Sequence, residues 1–321
     1  MNPAHSALPP TTALSEDWVG QISALGALLE DEPMARHTTL MVGGAARWYF
    51  RPNNRDAAIA SMRLLPAHIP LLPLGRGSNM LISDDGFDGL VIDLSELNAI
   101  DVDACSVTVE AGARMSRVAR QCAEHGLSGC EFMATVPGDM GGGIAMNAGC
   151  FAQQVSDTLS QVEVLLSHGD VQTFSADALN ISYRHTALPA GSLVLSATFD
   201  LHIDHPEQIR ERMRNMRMRR SATQPLSQPN CGSVFKNPAG DHAARLIEAA
   251  GLKGFTIGGA CFSKQHANFI VNEGDASCAD IVALIEHAQH LVQQQTGIEL
   301  EPEVRVISHS AQAMEASQRE S

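Results

Sequence analysis

The sequence has no CxxC pair, and its seven cysteines follow no regular spacing. An odd, unpatterned set argues against a disulfide framework or a Cys-based zinc site and fits reduced thiols. No apolar run approaches the roughly 20 residues of a membrane helix. The N-terminal MNPAHSALPPTTALSED lacks a basic stretch followed by an apolar one, so no leader is expected and the chain reads as cytoplasmic. Positive charge is scarce: 22 Lys and Arg stand against 36 Asp and Glu, for a net charge of −14. That balance argues against non-specific nucleic-acid binding by the whole molecule. Neither GxGxxG nor a phosphate loop ending in GK[ST] is present, and no internal repeat is visible.

What is present is a chain of 321 residues, 44% hydrophobic and 18% charged, enough for two or three domains around a sizeable core. Its most distinctive stretch is 134–149, ATVPGDMGGGIAMNAG, where Gly138, Gly141, Gly142, Gly143 and Gly149 sit among small or apolar residues. Such glycine density suits either a buried turn or a loop pressed against a large ligand. A second stretch, LLPLGRGSN at 71–79, reads as a buried strand breaking into a tight turn. Backbone N–H groups freed in such a turn form a nest for phosphate oxygens. Arg76 adds charge there, and Ser78 and Asn79 add donors. Two such loops, both following apolar segments, suggest one extended ligand held from two sides.

In chain order, residues 17–33 read as a short helix after an N-terminal tail. Gly43-Gly44 interrupts a strand-like run, as a bulge or close backbone approach does, and a plain hairpin turn fits equally well. Residues 55–65 read as a helix stopped before Pro66; 68–74 and 90–94 read as strands, giving a βαβ-like first unit. From 101 the pattern changes to strands at 106–112, 162–166, 171–174 and 193–201, with a helix at 115–126. His205-Pro206 marks a boundary. Residues 207–220 form a basic helix with Arg210, Arg212, Arg214, Arg217, Arg219 and Arg220, read as a solvated face or as a positive entrance for phosphates. Helices follow at 243–251 and 278–296, the latter with Ser277 as N-cap and Gly297 as stop. His287 and His290 read as surface or rim residues rather than metal ligands. Residues 298–307 alternate as a strand, with Glu299, Glu301, Glu303 and Arg305 on one face and Pro302 as an irregular spot. The C-terminal SHSAQAMEASQRES reads as a second tail.

LGRGSN at 74–79 and VPGDMGGGIAMNAG at 136–149 resemble the flavin loops of the UDP-N-acetylenolpyruvoylglucosamine reductase family. The resemblance continues in order through HTTLMVGGAA (37–46), SYRHT (182–186), QPNCGSVFKNP (228–238), KQHANFIVN (264–272) and GIELEPEVR (297–305). It implies an α+β protein: a two-subdomain FAD-binding fold of the vanillyl-alcohol-oxidase type, followed by an α/β substrate-binding domain. The expected organisation is a tail and short helix at 1–36, FAD subdomains at 37–100 and 101–205, a substrate domain at 206–307 and a tail at 308–321. It further implies NADPH-dependent reduction of the enolpyruvyl ether of UDP-N-acetylglucosamine enolpyruvate to UDP-N-acetylmuramate for peptidoglycan. Another flavin oxidoreductase of the same superfold, or a relative that binds nucleotide sugars without catalysis, remains the alternative.

Reducing an enol ether needs a hydride donor, a partner for developing carboxylate-stabilised charge, and a proton for the α-carbon. Side chains supply no hydride, so a flavin is implied. The resemblance assigns FAD, bound non-covalently, to Gly43, Gly44, Gly75, Arg76, Gly77, Ser78, Asn79, Pro137, Gly138, Gly141, Gly142, Asn147 and Gly149. It gives Arg184 the charge-steadying role that a planar guanidinium suits, Ser233 the proton-donor role and Glu303 an assisting role. Tyr183, Arg220, Lys236, Asn237 and His266 are implied as substrate contacts, with no metal. Cys231 reads as a small packed residue. Arg76 and the pair Asp139-Met140 depart from the small or β-branched residues common in relatives, so altered flavin-loop packing is expected. The segment between Arg184 and Ser233 is too short for the extra substrate-covering subdomain of one family branch.

Overall fold

The computed structural model describes residues 17–310. The tail at 1–16 and the stretch 311–321 lie outside the described residues. The first unit is a four-stranded sheet in the spatial order Gly26–Pro33, Ala45–Pro52, Phe87–Asp93, Leu71–Leu74. The first pair is antiparallel and the rest are parallel. The crossover helix Arg55–Leu64 starts where Asn54 Oδ1 accepts from Ala57 N at 2.9 Å. It ends at Leu65, whose extended backbone suits the residue before Pro66.

The helix expected over 17–33 is shorter. It spans Asp17–Ser23, and Gly26–Pro33 is an edge strand with Leu28 opposite Phe50. Gly26 permits this pairing, because a Cβ there would sit 2.1 Å from the Arg51 carbonyl oxygen. Tertiary pairing has overridden local helix propensity. Residues 26–36 therefore belong to the first unit rather than to the tail. Gly43 and Gly44 make the close backbone approach: Met34 N and Ala35 N donate to their carbonyls, and a Gly44 Cβ would meet Asp84 O at 2.2 Å.

The second unit is an antiparallel sheet in the order Val171–Ser175, Leu159–Leu165, Leu193–Asp200, Ser106–Glu110, Ile100–Asp103. Helix Met115–Glu124 buries Met115, Val118, Ala119 and Cys122 against it. One hydrophobic core runs through both units, from Trp18 and Phe50 to Phe132, Val162 and Phe199. The basic helix, observed as Pro206–Thr223, adds Ile209 and Met213 to that core. It therefore packs with the second unit rather than with the substrate domain that the boundary at 206 gave it.

The third unit surrounds a three-stranded sheet, Thr256–Ile257, Ala260–Phe262 and Ile270–Asn272, covered by helices Ala243–Ala249 and Cys278–Thr296. Ser277 Oγ accepts from Asp280 N at 3.0 Å, while Asp280 accepts from Ser277 N, completing a capping box. Asp84 of the first unit also caps this helix, accepting from Cys278 N at 2.8 Å and Ala279 N at 3.0 Å. Leu40, Val42 and Leu81 of the first unit are embedded in the third unit's core. The chain then returns: Arg305–Ile307 pairs in parallel with Met80–Ile82.

The strand expected over 298–307 is thus three residues long. Phe235 forms an isolated bridge with Pro302, whose missing N–H breaks a continuous ladder. As a result the acidic residues do not share a face. Glu299 and Glu301 are exposed, and Glu303 turns inward.

Candidate active site

Strand Leu71–Leu74 delivers the chain into the turn Gly75–Asn79. Among the described residues, the backbone N–H groups of all five turn residues lack a protein acceptor. That is the run of free donors an anion nest requires. Gly77 is obligatory: its φ is +58°, and a Cβ would lie 2.4 Å from the His37 carbonyl oxygen. The second loop faces the first. Ser78 Oγ donates to the Pro137 carbonyl at 3.2 Å, and Gly138 has φ +121° with Ser78 Oγ at 3.0 Å from its would-be Cβ. Within this expected loop, Met140–Ala145 forms a short helix, so Gly142 needs no positive φ and a Cβ there would meet open space.

A cavity of about 960 Å³ lies between the loops, walled by Gly75, Arg76, Pro137 and Asp139, by Tyr49, Asp93 and Arg114, by Arg220 of the basic helix and by Gly232 of the third unit. That volume is at the upper end for ligand pockets. Tyr49 donates to Asp93 at 2.5 Å and Arg51 Nε donates to the same carboxylate at 3.0 Å. Burial and the neighbouring Asp93 raise the Tyr49 pKa well above the usual phenol range. His37 stacks on the Tyr49 ring at 4.2 Å. The Tyr49, Arg51 and Asp93 wall was not singled out in the sequence; its residues come from two neighbouring strands, Ala45–Pro52 and Phe87–Asp93, with no local motif.

Of the proposed chemistry residues, Arg184 and Glu303 meet, and Ser233 follows Gly232 of the cavity wall. Arg184 Nε lies 2.9 Å from Glu303 Oε1, with side chains 18% and 16% exposed. Arg184 adopts φ +59°, and its Nη2 donates to the Gly149 carbonyl at 2.9 Å, so the second loop aims the guanidinium. Its charge sits 5.0 Å above the Tyr183 ring. Glu303 is held by its backbone. Asn79 Nδ2 donates to its carbonyl at 2.9 Å, and its N–H donates to the Val234 carbonyl at 2.7 Å. The first loop, the SYRHT segment and the residue after Ser233 thus converge on one residue: Arg184 faces the Glu303 carboxylate, while Asn79 and Val234 hold its backbone. Burial pushes the Glu303 pKa up, and the Arg184 charge opposes it. Ser233 is partly exposed, and its hydroxyl makes no side-chain hydrogen bond among the described residues.

Other expected residues differ in what they have left to offer. Arg220 is partly buried, donates to the Thr135 carbonyl and keeps a buried Nε without an acceptor among the described residues; burial lowers its pKa, the condition of a cation awaiting an anion. Lys236 pairs with Glu301. Asn237 accepts from Ala243 N at 3.1 Å, ahead of a helix. His266 packs edge-on to Phe269 at 4.8 Å, and burial lowers its pKa. Asn147 differs from expectation. At 1% exposure it donates to Ser182 O and Gln154 Oε1 and accepts from Ser156 N. No polar atom of that side chain is left for a cofactor, so Asn147 shapes the loop and anchors the segment before Arg184. Gly43 and Gly44 pack against the 82–86 turn rather than lining the cavity. Cys231 is buried at 2%, and burial pushes its thiol up to about 12, an inert packed residue. Two arginines of the basic helix are ion-paired, Arg210 with Glu207 and Arg212 with Glu131 and Asp204, while Arg214, Arg217 and Arg219 are exposed.

The free donors of the 75–79 turn, the large cavity and the Arg76 and Arg114 charges fit a diphosphate-bearing dinucleotide such as FAD. A profile described as FAD binding domain matches residues 46–175. A profile for the C-terminal domain of UDP-N-acetylenolpyruvoylglucosamine reductase matches 224–307. The UDP-N-acetylenolpyruvoylglucosamine reductase of Alkalilimnicola ehrlichii is 42% identical over 89% of this chain and 96% of its own length. That of Methylococcus capsulatus is 43% identical over 89% and 94%. The crystal structure of UDP-N-acetylenolpyruvylglucosamine reductase from Thermus caldophilus superposes with a TM-score of 0.76 at 32% identity, covering 88% of this chain and 98% of that one. The α+β fold expected from the sequence, two FAD subdomains and a substrate domain, is the fold found. Sequence identity, coverage and fold agree that this chain belongs to the UDP-N-acetylenolpyruvoylglucosamine reductase family.

Proposed function

We propose that the chain reduces the enolpyruvyl ether of UDP-N-acetylglucosamine enolpyruvate to UDP-N-acetylmuramate, a peptidoglycan precursor, in the cytoplasm. Non-covalently held FAD supplies the chemistry side chains lack, carrying hydride from NADPH to the substrate. The 75–79 turn and the Pro137–Gly138 loop hold the diphosphate-bearing cofactor, while Arg76 and Arg114 offset its charge. Arg184 steadies the carboxylate-stabilised charge that develops when hydride reaches the β-carbon. Ser233 delivers the proton to the α-carbon, and Glu303, its pKa raised by burial, helps restore that proton. Arg220, with an unused buried donor, binds an anionic part of the substrate. Tyr183, Lys236, Asn237 and His266 line the substrate side.

The observation that carries this reading is the convergence of Arg184, Asn79 and the residue after Ser233 on Glu303. Two of these segments hold the Glu303 backbone so that its carboxylate faces Arg184, a placement stability alone does not call for, since a buried ion pair is weak evidence of stability. The test is the visible spectrum of the purified protein without oxygen. A flavin band bleached by NADPH and restored by the enolpyruvyl substrate supports the proposal. A band that the substrate leaves bleached refutes it.

A further inference from the structure

Asp139 stands at the mouth of the second loop, just before the short helix Met140–Ala145. It is 5% exposed and lines the cavity. Its carboxylate makes no hydrogen bond or ion pair with any described residue, and it does not cap the helix that follows. It is pressed against the first loop instead: a Cβ on Gly75 would lie 3.3 Å from Asp139 Oδ2. An unpartnered acid, nineteen-twentieths buried, thus stands beside the run of free N–H donors at Gly75–Asn79.

The charged groups around it are few. Arg76 approaches from the first loop and Arg114 from the segment before helix Met115–Glu124, and both favour its ionised form. Asp93, at the end of strand Phe87–Asp93, opposes it. Asp93 is itself satisfied by Tyr49, Arg51 and Ser95 N, with His37 stacked beyond Tyr49. A carboxylate in this position repels a diphosphate entering the nest, whereas a neutral carboxyl becomes one more donor.

We propose that Asp139 is a cofactor-binding residue: its carboxyl stands in the anion cradle of the 75–79 loop and donates a hydrogen bond to a phosphate oxygen, so that FAD binds together with one proton. The proposal rests on the reading of the two loops as the FAD cradle. Desolvation raises the carboxyl from its usual 3.8 to about 6 before any ligand arrives, which brings the proton within reach near neutrality. The bound phosphates raise it further. Affinity is therefore greatest below about pH 6 and falls as pH rises through the window above it, by roughly tenfold per pH unit. The phosphates of FAD stay ionised across that range and add no slope.

The experiment measures the FAD dissociation constant of the apoprotein by quenching of flavin fluorescence between about pH 5 and pH 8. Wild type, Asp139→Asn and Asp139→Ser are compared. The wild type loses affinity with rising pH. Both variants, which carry no ionisable group at this position, give flat profiles and bind FAD more tightly than wild type at the alkaline end. A pH-independent wild type, a wild type that binds more tightly as pH rises, or variants that keep the wild-type slope would each overturn the role of Asp139. An apoprotein that takes up no FAD at any pH would instead overturn the reading of the loops.

Discussion

Arg184 and Glu303 meet at 2.9 Å although they come from different units of the fold, one aimed by the Gly149 carbonyl and the other held by Asn79. The pair ties the segment around Gly149 and the turn at 75–79 to the proposed chemistry, so disturbing either partner should affect turnover more than folding. Arg184→Lys keeps the charge but loses the planar fork that serves Gly149 and Glu303 together. Turnover should fall by roughly 10²-fold, with flavin content and melting temperature near those of wild type. Near-normal turnover would show that the pair is structural.

Ser233→Ala separates the two halves of the cycle. Bleaching of the flavin by NADPH should stay within a few-fold of wild type. Recovery of the band on adding the enolpyruvyl substrate should slow by roughly 10²–10⁴-fold, the usual contribution of a positioned general acid. Anaerobic stopped-flow absorbance times each half. Equal slowing of both would make Ser233 structural, and no slowing would move the proton-donor role to Glu303.

Two glycines in the facing loops should respond in opposite ways. Gly77→Ala forces a side chain into a left-handed backbone and against the His37 carbonyl, so thermal stability and flavin binding should both fall. Gly142→Ala adds a helix-favouring residue to Met140–Ala145 where nothing beyond its chain neighbours and its own helix backbone lies within 4 Å of the new Cβ. The apoprotein should gain about 0.5–1 kcal/mol, while flavin affinity falls if that open space belongs to the cofactor. Full flavin affinity in Gly142→Ala would remove Gly142 from the cofactor site.

Asp139 also makes a prediction about folding without any ligand. Its folded pKa, about 6, lies above its ordinary 3.8. The folded state therefore binds the proton more tightly, and the carboxyl's contribution is full below about pH 4 and lost as pH rises through 6. Asp139→Asn apoprotein should be more stable than wild type at about pH 8, by roughly 2–3 kcal/mol. The difference should vanish on acidification to about pH 4. Denaturant titrations at the two pH values check it, and an equal difference at both would assign the effect to packing.

Asp84→Ala removes the carboxylate that accepts from Cys278 N and Ala279 N across two units. The loss should be about 1–2 kcal/mol, as for other helix caps. Ser277 and Asp280 remain to hold the helix start. Hydrogen exchange should show the loss concentrated in the first turn of Cys278–Thr296 and in the 83–86 turn it docks against.

Helix Cys278–Thr296 was legible to its last residue because its cap, apolar stripe and terminal glycine are all local signals. The expected loop at 134–149 contains the short helix Met140–Ala145, whereas the turn at 75–79 was legible from its glycines. Gly26–Pro33 was not: its strand character comes from pairing with Ala45–Pro52, which no local signal records. Glu303 could be selected from Glu299 and Glu301 only by resemblance, because alternation put all three on one face. What turns Glu303 inward is the bridge at Pro302 and the Asn79 contact, and both are long-range. Asn147 misled in the opposite direction. It belongs to the loop's motif, but its polar atoms are used within the protein.

The parallel pairing of Arg305–Ile307 with Met80–Ile82 has a consequence for how the protein is made. Strand Met80–Ile82 follows directly on Asn79, so the first cofactor loop leaves the ribosome early yet lacks its flanking partner until residues 305–307 emerge. Such a distant closure is among the slow steps of folding. A nascent chain can settle the sheet around Leu159–Leu165 well before that point, but it carries an unfinished nest throughout. On the proposed reading of that loop, cofactor capture waits until synthesis is nearly over, and a chain arrested before residue 305 should accumulate as a colourless, partly folded species.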